Sequence, residues 1–284
     1  AVTDRLTTVE AAVEAVAAGH DVVVHTPDDV AVFEGLRQAV SQGLLSESEI
    51  DRSVRRILEA KMELGLHRSR AVNLDDVPRI VGSRAHRAVA AEVSRRAITL
   101  IKDDRMDVPL RLSGPASILY LSVLDYPSGW GNGAPSRSFL PELERRWPNV
   151  TAVEVSDQTS PAELDLIGAS AERYDAVIAA VFVRAASFSG RMDLNGGVVR
   201  LLRRVARQTE LQEQPFVTVF FGNPYVAVAL PELPAALLTY DLYDVAEVSA
   251  VRAIAGEVPI TGRLPITLGD RFPSGHGLSR SALR

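Results

Sequence analysis

Cysteine is absent from the 284 residues, which removes disulfides, thiolate metal ligands and cysteine nucleophiles. The compartment stays open, because secreted chains also do without cysteine. No stretch comes near the roughly 18 consecutive apolar residues that a membrane span needs, so no membrane span is expected. Charge of one sign is not in excess either: 36 acidic and 31 basic residues leave a net −5 with both signs scattered, and no basic stripe offers a footprint for phosphate backbones. Nucleic acid is therefore not an expected partner. The start, Ala1-Val2-Thr3-Asp4, lacks Met, a basic n-region and an apolar h-region, and reads as a segment cut from something longer. The histidines, at 20, 25, 67, 86 and 276, show no H-E-x-x-H spacing, and no G-x-S-x-G elbow is present. What remains is 46% hydrophobic and 24% charged, the composition of an ordinary globular chain long enough for one large domain or two.

The pattern changes along the chain. Val9 to Ala18 suits a helix stopped by Gly19, and Val22-Val23-Val24 is a short β-branched run bounded by Pro27. Two further helices are expected, from Asp29 to Ser41 and from Glu47 to Leu64. The second carries Ser46 and Glu49 as a capping box, Ile50, Val54, Ile57 and Leu58 on one face, and Gly65 as a stop. A lone strand makes no sheet, so residues 1–66 read as the last unit of a larger α/β structure. Residues 67–99 read as a crossing segment that becomes helical from Ala85 to Arg96.

From Ala116 onward strands and helices alternate. Strands are expected at Ser117–Val123, Val150–Val155, Ala176–Val183, Phe216–Phe221, Ala236–Tyr240 and Leu264–Leu268, with helices at Ser138–Arg146, Pro161–Ala171, Gly197–Gln208 and Asp244–Ala255. Continuous apolar strands separated by helices imply a parallel sheet covered on both faces. Residues 100–284 therefore read as a three-layer αβα sandwich, its tail from Arg271 loose.

Two readings of motifs compete. Gly129-Trp130-Gly131-Asn132-Gly133-Ala134 fits G-x-G-x-x-A after a strand, with Glu154 about 20 residues later, as a dinucleotide site would. Against it, Asp125 to Ser128 separate strand from glycine and Pro135 blocks a helix running straight out, whereas a pyrophosphate needs that helix start. A glycine-rich loop is the preferred reading. His25 ends the Val22–Val24 run, and the carboxyl ends of strands form the active face of a parallel barrel; a histidine bonded to a neighbouring loop is the alternative.

Five groups of residues, in order, resemble one family. Ala15-Val16-Ala17-Ala18-Gly19-His20-Asp21-Val22-Val23-Val24 is similar to the stretch leading into the last barrel strand of glycoside hydrolase family 3. Ile50-Asp51-Arg52-Ser53-Val54-Arg55-Arg56-Ile57-Leu58, with Lys61 and Leu64-Gly65-Leu66, resembles the helix that closes that barrel. Ala97-Ile98-Thr99-Leu100-Ile101-Lys102 resembles the start of the second domain, and Phe221-Gly222-Asn223-Pro224-Tyr225 and Gly262-Arg263-Leu264-Pro265-Ile266-Thr267 resemble its later landmarks. The closest branch is the two-domain β-N-acetylglucosaminidases, and β-glucosidases share much of the pattern.

The resemblance implies the end of a (β/α)8 barrel at 1–66, a linker at 67–99 and a mostly parallel αβα sandwich at 100–284. It implies a retaining glycosidase for β-linked N-acetylglucosamine or related β-glycosides, needing no cofactor and no metal, with a carbohydrate substrate as its partner. The catalytic residues would lie mostly upstream. Asp4 reads as the loop after the nucleophile strand, because it stands too close to Glu10-Ala11-Ala12-Val13; the nucleophile itself is the alternative. His25, Thr26 and Arg191 are the substrate-binding candidates. Arg191 belongs to a loop, Arg184 to Asp193, whose arginines, hydroxyls, aromatic and glycine suit a sugar; a mobile surface loop is the alternative. If the acid comes instead from the second domain, Glu232, Glu247 and Glu257 are its candidates. The competing function is a non-catalytic sandwich module for scaffolding or glycan binding.

Overall fold

The computed structural model describes residues 5–124, 135–183 and 193–283. They divide into two units, Ala1–Gly82 and Ser83–Arg284.

In the first unit, helix α1 (Thr8–Ala17) starts at a capping box of Thr7 and Glu10, and α2 (Asp29–Ser41) starts where Asp28 Oδ1 accepts from the Ala31 amide at 2.9 Å. The two helices meet at Gly35, where an added Cβ would stand 2.2 Å from Val9 Cγ1, so the crossing requires a residue without a side chain. Helix α3 (Glu47–Glu63) opens on the expected Ser46/Glu49 capping box. Among the described residues, the buried apolar residues of this unit are Ala12, Val32, Ala39 and Leu45, while Phe33, Val24 and Met62 are 65%, 78% and 62% exposed. Val22–Val24 runs extended without a ladder partner among the described residues, and a strand needs one; the unit of barrel read there is thus not directly visible. The short helix α4 (Val77–Ile80) follows.

The second unit begins with α5 (Arg84–Ala97), a helix inside the segment read as a crossing, which packs on α9 (Asp244–Ile254); Ser94 Oγ donates to the Val245 carbonyl at 3.1 Å. A six-stranded sheet follows: β1 (Thr99–Asp103), β2 (Ser117–Leu124), β3 (Asn149–Val155), β4 (Ala176–Val183), β5 (Phe216–Gly222) and β6 (Ala235–Leu238). Their order is β1-β6-β5-β4-β2-β3, with β2 to β6 parallel and only β1 antiparallel, at the edge.

Alternate residues of each strand feed two cores, as the period of two demands. Tyr120, Ile178, Phe182, Val219 and Phe221 meet α6 (Phe139–Glu144) and α9, through Phe139, Ala250 and Ile254. Leu119, Leu121, Val181 and Phe220 meet α8 (Gly196–Leu211) through Val198, Leu202 and Val205. Helix α7 (Pro161–Ser170) lies beside α8 and starts as expected, with Ser160, Pro161 and Glu163 each in place.

Three expectations need correction. β1 went unread as a strand. Leu264–Leu268 forms no ladder strand, because Pro265 removes a donor and only a single bridge, Leu268 to Phe272, is made. The tail is not loose either. The Leu278 amide donates to Leu100 O at 2.8 Å, His276 Nε2 lies 2.7 Å from Ile101 O, and Arg280 pairs with Asp103 at 2.5 Å.

Candidate functional site

In an open parallel sheet, ligands sit at the carboxyl ends of strands where the winding reverses. Here that point lies between β2 and β4, since β3 flanks β2 on the opposite side. The loops leaving those strands run through 125–134 and 184–192, which lie outside the described residues, as do the glycine-rich motif, Arg191 and Asp4. What is described is how the first of these loops is fastened where it ends.

Ser136, held at φ 65°, places its Oγ 2.6 Å from both Tyr120 Oη and Ser122 Oγ. Its amide donates to Glu247 Oε1 at 3.0 Å, while the amides of Ser138 and Phe139 both donate to Glu247 Oε2 at 2.7 Å. Glu247 reaches them from α9 and is 1% exposed. Burial pushes its carboxyl above the usual carboxylate range, against the pull of the three amides, and Asp244 pushes the same way. Burial likewise drives the Tyr120 hydroxyl far above the usual phenol range. A carboxyl enclosed in this way anchors a loop and has no open path to a substrate.

The other two glutamates are separately engaged. Glu257 receives Arg146 Nε at 2.5 Å and Arg252 Nε at 3.2 Å, and Arg146 holds it below the usual range. Glu232 pairs with Arg203 at 3.1 Å. The Glu257 environment works against the neutral form that a general acid needs, and Glu232 is committed to its ion pair.

Further along the same carboxyl edge, β5 ends at Gly222 (φ 78°), where a Cβ would stand 2.7 Å from Val183 O. Asn223 then caps a short turn through Tyr225 N at 3.0 Å. Tyr225 is 52% exposed there, and Tyr243, beyond the end of β6, is 67% exposed. Sequence reading named the Asn223–Tyr225 loop and missed Tyr243, whose signal is only an aromatic in a polar stretch before a helix.

In the first unit, His25 sits at φ 60° directly after the extended run, and Thr26 Oγ1 donates to Asp29 Oδ1 at the start of α2. The structure brings His25 and Thr26 to one rim of an open groove of about 620 Å³ walled by Val22, Val24, Phe33 and Ile57. Among the described residues no three His, Asp or Glu side chains converge as a metal would require, and no helix is long and apolar enough to cross a membrane.

Comparison with known proteins gives a consistent likeness. Residues 1–60 match the description "Glycosyl hydrolase family 3 N terminal domain". A β-N-acetylglucosaminidase/β-glucosidase of Cellulomonas fimi is 26% identical over 258 residues, covering 88% of this chain and 44% of that protein. Among solved structures, a glycoside hydrolase family 3 β-N-acetylglucosaminidase from a Paenibacillus species shares 20% identity at a TM-score of 0.62, over 92% of this chain and 47% of that one. A β-glucosidase from Listeria innocua in complex with glucose shares 20% at 0.66, over 96% and 44%. At this identity the solved structures show the fold. The chain spans less than half the length of the curated relatives that it matches over most of its own length.

Proposed function

On the premise that this chain belongs to glycoside hydrolase family 3, we propose that it is the C-terminal part of a two-domain retaining glycosidase acting on β-linked N-acetylglucosamine or related β-glycosides. In this reading residues 1–66 are the end of the catalytic (β/α)8 barrel, 67–99 the linker and 100–284 the sandwich domain. The observation that carries it is the match of 88% of the chain, both units included, to 44% of one β-N-acetylglucosaminidase/β-glucosidase. The open apolar wall of the first unit supports it, since Val24 and Phe33 project without a core of their own, as side chains do whose neighbours are the rest of a barrel.

A retaining glycosidase needs two acidic partners about 5 Å apart, one attacking the anomeric carbon and one protonating the leaving oxygen. The nucleophile and acid belong mostly upstream in this proposal; Asp4 stands in the loop after the nucleophile strand, with the nucleophile itself as the alternative. His25, Thr26 and Arg191 would bind the sugar, and no cofactor takes part. A polar pair at the end of a barrel strand suits hydroxyl recognition, and the position of His25 and Thr26 on the rim of the groove, directly after the extended Val22–Val24 run, supports that reading.

The second reading, a sandwich that scaffolds or grips glycan without chemistry, is favoured for the second unit by the engagement of Glu232, Glu247 and Glu257 and by the exposed rings of Tyr225 and Tyr243. The test is the full reading frame assayed on aryl β-glycosides of N-acetylglucosamine, glucose and xylose. Hydrolysis with retained anomeric configuration, and a KM raised by His25→Ala at unchanged folding, is the expected result. A full-length protein inert on all three would leave the module reading.

A further inference from the structure

Helix α8 carries Arg200, Arg203, Arg204 and Arg207, spaced so that all four side chains line one wall of a groove of about 760 Å³ between α7 and α8. The concentration is unexpected in a chain of net charge −5. Two of these arginines are committed: Arg203 to Glu232 at 3.1 Å and to Ala229 O at 3.1 Å, and Arg204 to Asp165 at 3.2 Å. Arg200 and Arg207 have no hydrogen-bond or ion-pair partner among the described residues. Arg200 folds back over Gly196 and Gly197, against the first turn of its own helix, where the backbone dipole already makes the potential positive. That position is unfavourable for a cation alone and favourable for a cation holding an anion.

The rest of the groove is of different chemistry. Pro161, Leu164 and Leu201 line it as an apolar floor, and the carboxylates of Asp157 and Asp165 also line it, Asp165 being paired with Arg204. Helices α7 and α8 come close enough to form the groove because of two glycines. A Cβ on Gly197 would stand 3.0 Å from Leu164 Cδ1, and one on Gly168 would stand 3.1 Å from Arg204 Cδ, so Gly168 gives the Arg204 stem its bed on α7. An apolar floor beneath guanidinium groups matches a molecule with an apolar ring face and an acidic substituent, and the volume suits two or three sugar rings. Guanidinium forks hold carboxylate and sulfate equally well in geometry.

We propose that the α7–α8 groove binds a short saccharide carrying carboxylate or sulfate groups, with Arg200 and Arg207 as the anion-holding residues and Leu164 and Leu201 beneath the ring. The site lies wholly in the second unit and does not depend on the glycosidase reading.

Calorimetric titration of the 284-residue chain with trigalacturonate, with a sulfated disaccharide and with neutral cellotriose tests it. The expected result is saturable binding of one or both anionic ligands, weakened at least tenfold in the double variant Arg200→Ala, Arg207→Ala and weakened by added salt, with no binding of cellotriose. Which anionic ligand binds assigns carboxylate or sulfate. Both variant positions are exposed, so folding is checked by circular dichroism and is expected to be unchanged. A third variant, Leu164→Asp, should abolish anion binding by charging the floor. Equal affinity in the double variant, equal binding of cellotriose, or no binding of either anion would overturn the proposal and leave the arginines a solvated face.

Discussion

Removing the Glu247 carboxyl is the sharpest perturbation available in the second unit, because one side chain satisfies three backbone donors. Phe139 is fully buried, so its orphaned amide would cost about 1–3 kcal/mol; the amides of Ser136 and Ser138 are half-buried, and water recovers part of their loss. Glu247→Ala should therefore cost about 3 kcal/mol, and Glu247→Gln, which keeps one acceptor oxygen, roughly half as much. With a urea slope of about 1–3 kcal/mol per molar, the alanine variant's midpoint should fall by at least roughly 1 M. Burial holds the folded carboxyl above its ordinary value, so folding favours the protonated form. The contribution of Glu247 is then fully present below the ordinary carboxylate range and declines as pH rises through the raised value. The gap between wild type and Glu247→Gln should accordingly narrow as pH rises above the ordinary carboxylate range. Urea unfolding of both proteins at each pH measures this. A loss under about 1 kcal/mol in Glu247→Ala, or a gap that widens with pH, would refute the reasoning.

Other expectations are independent of that anchor. Arg280→Leu leaves the Asp103 carboxyl, whose side chain is 0% exposed, without its ion pair, and should cost about 3 kcal/mol by denaturation; adding Asp103→Asn should recover part of it. Burial already pushes Asp103 upward despite Arg280, so the single variant should lose more stability at neutral than at acid pH. Gly262→Ala would set a Cβ 2.3 Å from Ile98 O, and thermal unfolding should show a loss of about 2 kcal/mol. Phe33→Ser with Val24→Ser should change stability by less than about 0.5 kcal/mol and reduce self-association in sedimentation velocity; a larger loss would mean that these side chains are packed.

The sheet was legible because parallel strands buried on both faces must be continuous apolar runs, and Ala176–Val183 has that form from end to end. Helices were legible from their caps, as at Ser46 and Ser160. β1 was not, because an edge strand carrying Thr99, Lys102 and Asp103 lacks that run. The packed tail was hidden for a related reason: its Pro, Ser and Gly content reads as loop, and the Arg280–Asp103 pair spans 177 residues. Glu247 was named only as a candidate acid, and its role as an anchor gave no signal. Its partners lie 108 to 111 residues away, and an acid on a helix reads as solvated until the chain folds around it. At the candidate site, His25 and Thr26 were legible as the end of an apolar run, while Tyr243 depended on β6 being its neighbour.

In the proposed function, this chain is the C-terminal part of a glycosidase whose catalytic residues lie mostly upstream. Initial rates on 4-nitrophenyl β-N-acetylglucosaminide, measured for the 284-residue chain and for the full reading frame at equal concentration, test it most directly. The account predicts a rate at the buffer blank for the chain and clear turnover for the full-length protein. Turnover by the chain alone that is lost on Asp4→Asn would contradict it and make Asp4 the nucleophile.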